Sequence, residues 1–169
     1  MRTPPLVLAL VLTLLSGCEY QAPVTTNHTI PVDPAVLGVW EAVPEPGKAA
    51  DADETMLVLK YSETEYLIRY PSGKDAMFFR GYPIQVGGLQ CVQIQLLGAK
   101  DQPVHDDERK FHVVAYTLAG GVLEVKTLNT ELVPRSLATS AGVLKAIQAN
   151  LADPDLFKDP GRFRKVGKE

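Results

Sequence analysis

Short segments in which apolar and polar residues alternate fill most of the chain after residue 35, and this pattern restricts the fold more than any other feature. Within 89–97, Val92 and Ile94 fall on one face of an extended strand, whereas Gln93 and Gln95 fall on the other. A strand with one apolar and one polar face is typical of an antiparallel sheet. The pattern therefore predicts a mainly β domain.

Seven candidate strands follow one another with short breaks between them. Their ranges are 36–43, 55–61, 65–70, 76–82, 89–97, 110–118 and 122–128. Glycine pairs at 87–88 and 120–121 separate neighbouring candidates, and glycine tolerates the positive φ angles of tight hairpin turns. Strands joined in simple succession form a meander, and a long meander removes its exposed edges by closing into a barrel.

The pattern changes after the seventh strand. Ser136 can cap a helix, and Leu137, Ala141 and Leu144 begin an apolar repeat with helical spacing that stops near residues 153–154. Residues 161–166 can add a final strand. We therefore expect residues 35–169 to form a small antiparallel meander that closes into a barrel of about eight strands, with one helix before the last strand.

The first strand opens with Gly38-Val39-Trp40, which resembles the Gly-x-Trp motif of lipocalins and related calycin barrels. The order of strands, helix and strand over most of residues 36–166 is similar to that family as well. The resemblance implies a structural signature in which an arginine near the end of the chain, Arg162 or Arg164, packs across the Trp40 ring.

The amino terminus has the features of an export signal. Arg2 supplies a positive charge, and the apolar run 6–15 is too short for a lasting membrane span, which needs about 20 residues. Leu15-Ser16-Gly17-Cys18 then resembles the lipobox of bacterial lipoproteins. The resemblance implies a signal peptide at 1–17, cleaved before Cys18, and fatty acids such as palmitate on Cys18, with residues 18–34 as a flexible tether.

Lipidation would anchor the chain to a membrane of the cell envelope, since two or three acyl chains suffice for stable attachment. Glu19 follows the lipobox, whereas lipoproteins kept in the inner membrane usually have Asp there. We therefore expect an outer-membrane protein facing the periplasm, if the source has two membranes.

Composition and motifs argue against several functions. Acidic residues outnumber basic ones by 20 to 17, and the basic residues form no continuous stripe. We therefore expect no nucleic-acid partner. His28, His105 and His112 form no catalytic or metal-ligand pattern, and we expect no enzyme activity, no metal and no cofactor besides the lipid. Cys91 lies in an apolar run and is interpreted as a small buried residue.

Adjacent aromatic residues at 78–79 cannot both point into a barrel, because successive side chains of a strand face opposite ways. One of Phe78 and Phe79 should lie beneath the helix, or face outward beside Arg80 and Tyr82 as a docking patch.

The leading functional hypothesis is a non-enzymatic binding or structural module that contacts another envelope protein. The alternatives are a lipocalin-like carrier of a small apolar ligand and an inhibitor of an envelope-directed hydrolase. We expect bulky inward side chains to fill the barrel, which favours the first hypothesis. The inward candidates are Leu57, Leu59, Tyr66, Ile68, Val92, Ile94, Leu123 and Val125.

Lipidation is tested by substituting each cysteine in turn. Cys18→Ser should abolish fatty-acid labelling in cells, because the Cys18 sulfur is the atom that receives the lipid. It should also leave the signal peptide uncleaved, because the peptidase cuts before a lipidated cysteine. Cys91→Ser should leave labelling unchanged. Intact-mass measurement of a mature protein without acyl groups would contradict the prediction.

Overall fold

The computed structural model describes residues 20–44, 54–100, 102–105 and 110–167. A 3-10 helix at Pro34–Val36 precedes the first strand. The strands are β1 Gly38–Ala42, β2 Thr55–Ser62, β3 Glu65–Arg69, β4 Met77–Val86, β5 Leu89–Ala99, β6 Gln102–Pro103, β7 Phe111–Ala119, β8 Val122–Leu128 and β9 Phe157–Val166. One α-helix, α1 Ser140–Ala149, lies between β8 and β9. Cys18 and the expected signal peptide lie outside the described residues.

The strands form a closed antiparallel barrel. Neighbours pair in the order β1, β2, β3, β4, β5, β7, β8 and β9, and β9 pairs with β1 to complete the ring. The two-residue strand β6 pairs with the end of β5. The structure confirms the expected eight-stranded barrel with one helix before the last strand, an architecture consistent with a lipocalin-like fold.

The two ends of the barrel differ in their connections. The tight turns β2–β3, β4–β5 and β7–β8 lie at one end, called here the hairpin end, and the longer connections lie at the opposite loop end. Gly87, Gly88, Gly120 and Gly121 have φ angles of 59°, 85°, 57° and 75°. Residues with a Cβ rarely adopt such angles, so the glycine pairs determine where these two hairpins turn.

Apolar residues are buried on both sides of the wall, and this produces two cores. One fills part of the interior and includes Trp40, Phe79 and Phe163. The other lies outside the barrel, where Val143 and Ile147 of α1 cover the outward faces of β4, β5 and β7. The helix begins at Ser140 after the N-cap Thr139 and not at Ser136, because the Thr139 hydroxyl accepts the hydrogen bond of the Gly142 amide.

The side of β2 that points into the barrel is not the side that the sequence predicted. Met56 and Val58 are buried in the interior core, whereas Leu59 is 45% exposed. Trp40 pairs with Met56, so the even-numbered residues of β2 share the inward face of Trp40. Leu57 and Leu59 were therefore wrongly predicted to point inward, because an unbroken apolar run does not show which face is buried.

Residues 20–36, called here the strap, cross the outer wall from the loop end to the hairpin end. At the loop end the Tyr20 amide donates to the Phe111 carbonyl at 2.7 Å, and the Phe111 amide donates back at 2.9 Å. The Tyr20 hydroxyl donates to the Val133 carbonyl at 2.7 Å. Tyr20 is only 1% exposed, so the strap is firmly docked from its first described residue.

Gln93 holds the middle of the strap. Its Oε1 accepts from the amides of Val24 and Thr25 at 2.6 and 3.1 Å, and its Nε2 donates to the Thr25 carbonyl at 3.2 Å. Near the hairpin end the Val32 amide donates to the Glu63 carbonyl at 2.9 Å. Residues 20–34, which we expected to be part of a flexible tether, instead pack against the barrel.

No helix in the described ranges combines the length and apolarity required to cross a membrane.

Removing the Gln93 side chain should loosen the strap. Gln93→Ala leaves the buried amide of Val24 without its acceptor, so we expect the free energy of unfolding to fall by about 1–3 kcal/mol. Gln95→Ala, two residues along the same strand at a half-buried position, is the matched control and should change stability by less than about 0.5 kcal/mol. Equal urea midpoints for the two variants would show that the strap contacts contribute little.

Candidate ligand cavity in the barrel

The barrel interior is incompletely filled. A cavity of about 180 Å³ remains between the strands, contrary to the expectation of a filled barrel. Most of its wall is aliphatic or aromatic. The apolar lining residues are Val36, Met56, Val58, Ile68, Phe79, Val92, Ile94, Val114, Leu123, Val125 and Phe163. Six of the eight predicted inward residues line the cavity, and Leu57 and Leu59 do not.

Polar groups in the wall are few and mostly occupied. The Tyr66 hydroxyl accepts the Asp33 amide at 2.6 Å and is hydrogen-bonded to the Tyr116 hydroxyl. Burial raises the pKa of Tyr66 and raises the pKa of Tyr116 to about 12, so both phenols stay neutral. The Thr127 hydroxyl donates to the Lys158 carbonyl at 3.3 Å. This wall favours an apolar ligand over a charged one.

Trp40 closes the hairpin end. It is 0% exposed, and its indole Nε1–H donates to the Val36 carbonyl at 2.9 Å, which holds the 3-10 helix over the barrel. Gly38, the other residue of the signature, has a φ of 127°. A Cβ at Gly38 would lie 3.2 Å from the Lys165 side chain, so backbone angle and close approach both favour glycine here.

The cation over the Trp40 ring is Lys165, and neither Arg162 nor Arg164 takes this place. Lys165 Nζ lies 5.3 Å from the ring centroid and donates to the Ala35 carbonyl at 2.9 Å. Trp40 pairs with Lys165, so the two residues share a face, whereas the neighbouring positions 162 and 164 alternate to the outer face and are exposed. The prediction of Arg162 or Arg164 across the ring was therefore wrong, because the inward position beside Trp40 on the last strand is occupied by a lysine.

Near the loop end the inward face carries a histidine that sequence analysis did not connect with the interior. His112 pairs with Ile94, which lines the cavity, and lies on the same face of β7 as Val114. It is 4% exposed, its Nδ1 has no hydrogen-bond partner among the described residues, and burial lowers the pKa of His112 to about 4. The ring is therefore neutral at pH 7.

Much of the expected docking patch is covered by other parts of the same chain. Phe79 faces the cavity, and Phe78 faces outward, half-buried and apart from the core beneath α1. Tyr82 is buried because the His28 ring of the strap stacks on it with centroids 3.5 Å apart. The strap thus covers part of the surface that Phe78, Arg80 and Tyr82 were expected to offer a partner.

Arg80 links this surface to the turn at the hairpin end. Its guanidinium donates three hydrogen bonds to the buried Glu65 carboxylate, at 2.7, 2.8 and 3.1 Å, and lies 5.3 Å from the Tyr82 ring centroid. The bonds to Glu65 raise the pKa of Arg80 further. His28 Nδ1 lies 3.7 Å from Glu65, and burial is the main cause that lowers the pKa of His28. These contacts hold the strap against β3 and β4.

Reactive groups are dispersed in the described part of the chain. No three His, Cys, Asp or Glu side chains there come close enough to hold a metal ion. Burial raises the pKa of the Cys91 thiol to about 12, which keeps it protonated, and His105 is exposed. Residues 101–108 include four Asp and Glu side chains, and of this segment the structure describes only 102–105.

Trp40→Ala should lower the free energy of unfolding by about 3–5 kcal/mol, because it removes a large buried ring and its hydrogen bond. Lys165→Ala should cost about 0.5–1 kcal/mol through the lost cation–π contact, and Arg164→Ala, an outward control, should cost less. An Arg164→Ala variant less stable than Lys165→Ala would contradict the assignment.

Stability should fall in acid because His112 is buried in its neutral form. In the unfolded chain the His112 side chain binds a proton near pH 6.5, whereas in the folded chain it binds a proton only near pH 4. The stability that the neutral His112 ring provides is therefore complete well above pH 6.5 and is lost as the pH falls toward 4, by about 3 kcal/mol at pH 4.5. His112→Leu should lose this part of the pH dependence of unfolding, and His105→Leu should keep it.

Comparisons of the chain with protein-family models, curated proteins and solved structures found no match.

Proposed function

We propose that this protein is a non-enzymatic binding protein, anchored to the cell envelope by a lipid on Cys18, whose barrel holds a small apolar ligand. The observation that carries the proposal is the apolar cavity of about 180 Å³ inside the closed barrel. The lipobox at 15–18 supports the anchor. Among the hypotheses raised by the sequence, the carrier thus becomes the leading one.

The cavity volume limits the size of the ligand. Cavities of about 150 Å³ with apolar walls stay dry and bind molecules such as benzene, whereas drug-sized ligands occupy pockets of about 300–1,000 Å³. We therefore propose a small aromatic or short aliphatic molecule, or one short segment of a longer chain. Such a ligand would gain contacts with Phe79, Val92 and Ile94 that the empty cavity lacks.

A second candidate, contact with an envelope protein, is supported by an apolar stripe on the outer wall. Val39 pairs with Val166 on one side and Leu57 on the other, and the outward face continues to Leu59 and Tyr61. Leu59 is 45% and Tyr61 64% exposed, and α1 covers a different part of the wall. Exposed apolar groups of this kind are typical of protein contacts. The hydrolase-inhibitor hypothesis stays a prediction.

The carrier function is tested by ligand-dependent stabilisation. Benzene and indole are added to the protein, and the free energy of unfolding should rise with the logarithm of probe concentration, by about 2.7 kcal/mol at 100 times the dissociation constant. Val125→Phe adds bulk to the cavity wall and should weaken binding of both probes at least about tenfold, since it removes the space that they occupy.

The matched control is Leu59→Phe, which adds a ring to the outer face and should leave probe binding unchanged. Native mass spectrometry of protein purified from its own host should also show a small ligand that denaturation releases. Absence of stabilisation by either probe, together with a ligand-free mass, would overturn the carrier function.

A further inference from the structure

The strap determines where an anchor at Cys18 would join the folded domain. Tyr20 forms two backbone hydrogen bonds with Phe111, the first residue of β7, and its hydroxyl binds Val133 in the connection after β8. Both partners lie at the loop end of the barrel. Tyr20 is buried, so its position on the barrel is defined by packing as well as by hydrogen bonds.

The chain between this point and the cysteine is very short. Only Glu19 separates Cys18 from Tyr20. Two residue steps of fully extended chain span at most about 7 Å. The Cα atom of Cys18, which carries the proposed lipid on its side chain, must therefore lie within this distance of the Tyr20 Cα atom.

We propose that the loop end of the barrel rests on the bilayer surface and that the hairpin end, closed by Trp40, points away from it. This inference rests on the proposed lipid anchor. The partner is the lipid surface itself, and the short link from Cys18 to the docked Tyr20 is what selects this end. A flexible tether of 17 residues would have allowed any orientation.

The orientation bears on the exchange of ligand. The hairpin end of the cavity is covered by Val36 and Trp40, both buried. Asp159, an exposed lining residue with a φ of 56°, lies near the start of β9 at the loop end. The side of the cavity that contains this exposed residue would then be the side nearer the membrane, where small apolar molecules accumulate.

The orientation is tested with lipidated full-length protein in phosphatidylcholine vesicles that contain brominated acyl chains. A bimane fluorophore is attached at Arg135→Cys on the loop end, or at Glu63→Cys in the β2–β3 turn of the hairpin end. Both positions are exposed, and the buried Cys91 should not react. The eight residues of β2 alone span about 26 Å, so quenching by bromine should reach only one end.

We expect the fluorophore at residue 135 to lose most of its emission in brominated vesicles and the one at residue 63 to keep its emission. Inserting ten Gly and Ser residues between Glu19 and Tyr20 should abolish this difference, because the barrel can then turn freely. Equal quenching at both positions of the native chain, or stronger quenching at residue 63, would overturn the orientation.

Vesicle flotation and intact mass separate this result from failure of the anchor. Protein that carries acyl chains and floats with vesicles, but shows no difference between the two positions, refutes the orientation alone. Protein without acyl chains that does not float refutes the anchor, and the orientation with it. Circular dichroism of each labelled variant establishes that the barrel is folded.

Discussion

Closure of the sheet by β9 against β1 is the contact on which the rest of the structure depends. β1 has only five residues and is paired on both sides, with β2 and with β9. Its partner β9 lies more than 110 residues later in the chain, so this pairing completes the barrel across a long loop of chain. Without it the sheet would have two free edges and no enclosed interior. The cavity and the burial of Trp40 both follow from closure.

The strap shows how a segment without helical or strand period becomes part of a fold. Its backbone groups are satisfied by a glutamine side chain, by carbonyl groups of turns and by the first residue of a strand. Stacking of His28 on Tyr82 and the approach of His28 Nδ1 to the Glu65 carboxylate add contacts along its path. These polar contacts depend on one arrangement of the strands, so the strap couples the amino terminus to the barrel.

The chemistry of the described interior supports the proposal of a binding protein. The phenols of Tyr66 and Tyr116 are neutral and hydrogen-bonded to each other, and Nδ1 of the neutral His112 ring has no hydrogen-bond partner in the part of the chain that the structure describes. A general base or nucleophile would need a neighbour that activates it. The described interior instead offers dispersion contacts to a molecule of modest size. Its small volume distinguishes it from carriers of whole lipids, which need a larger space.

The sequence by itself determined the local features of this protein. The alternation of apolar and polar residues predicted the strands, and the glycine pairs predicted two hairpin turns. A polar N-cap residue begins the helix close to its predicted start. Tertiary structure decided which face of β2 points inward, that Lys165 covers Trp40, that residues 20–34 pack on the barrel, and that a cavity remains. Alternation and turn geometry depend on neighbours in the chain. Register, facing and unfilled volume instead depend on residues far apart in sequence, which no local pattern specifies.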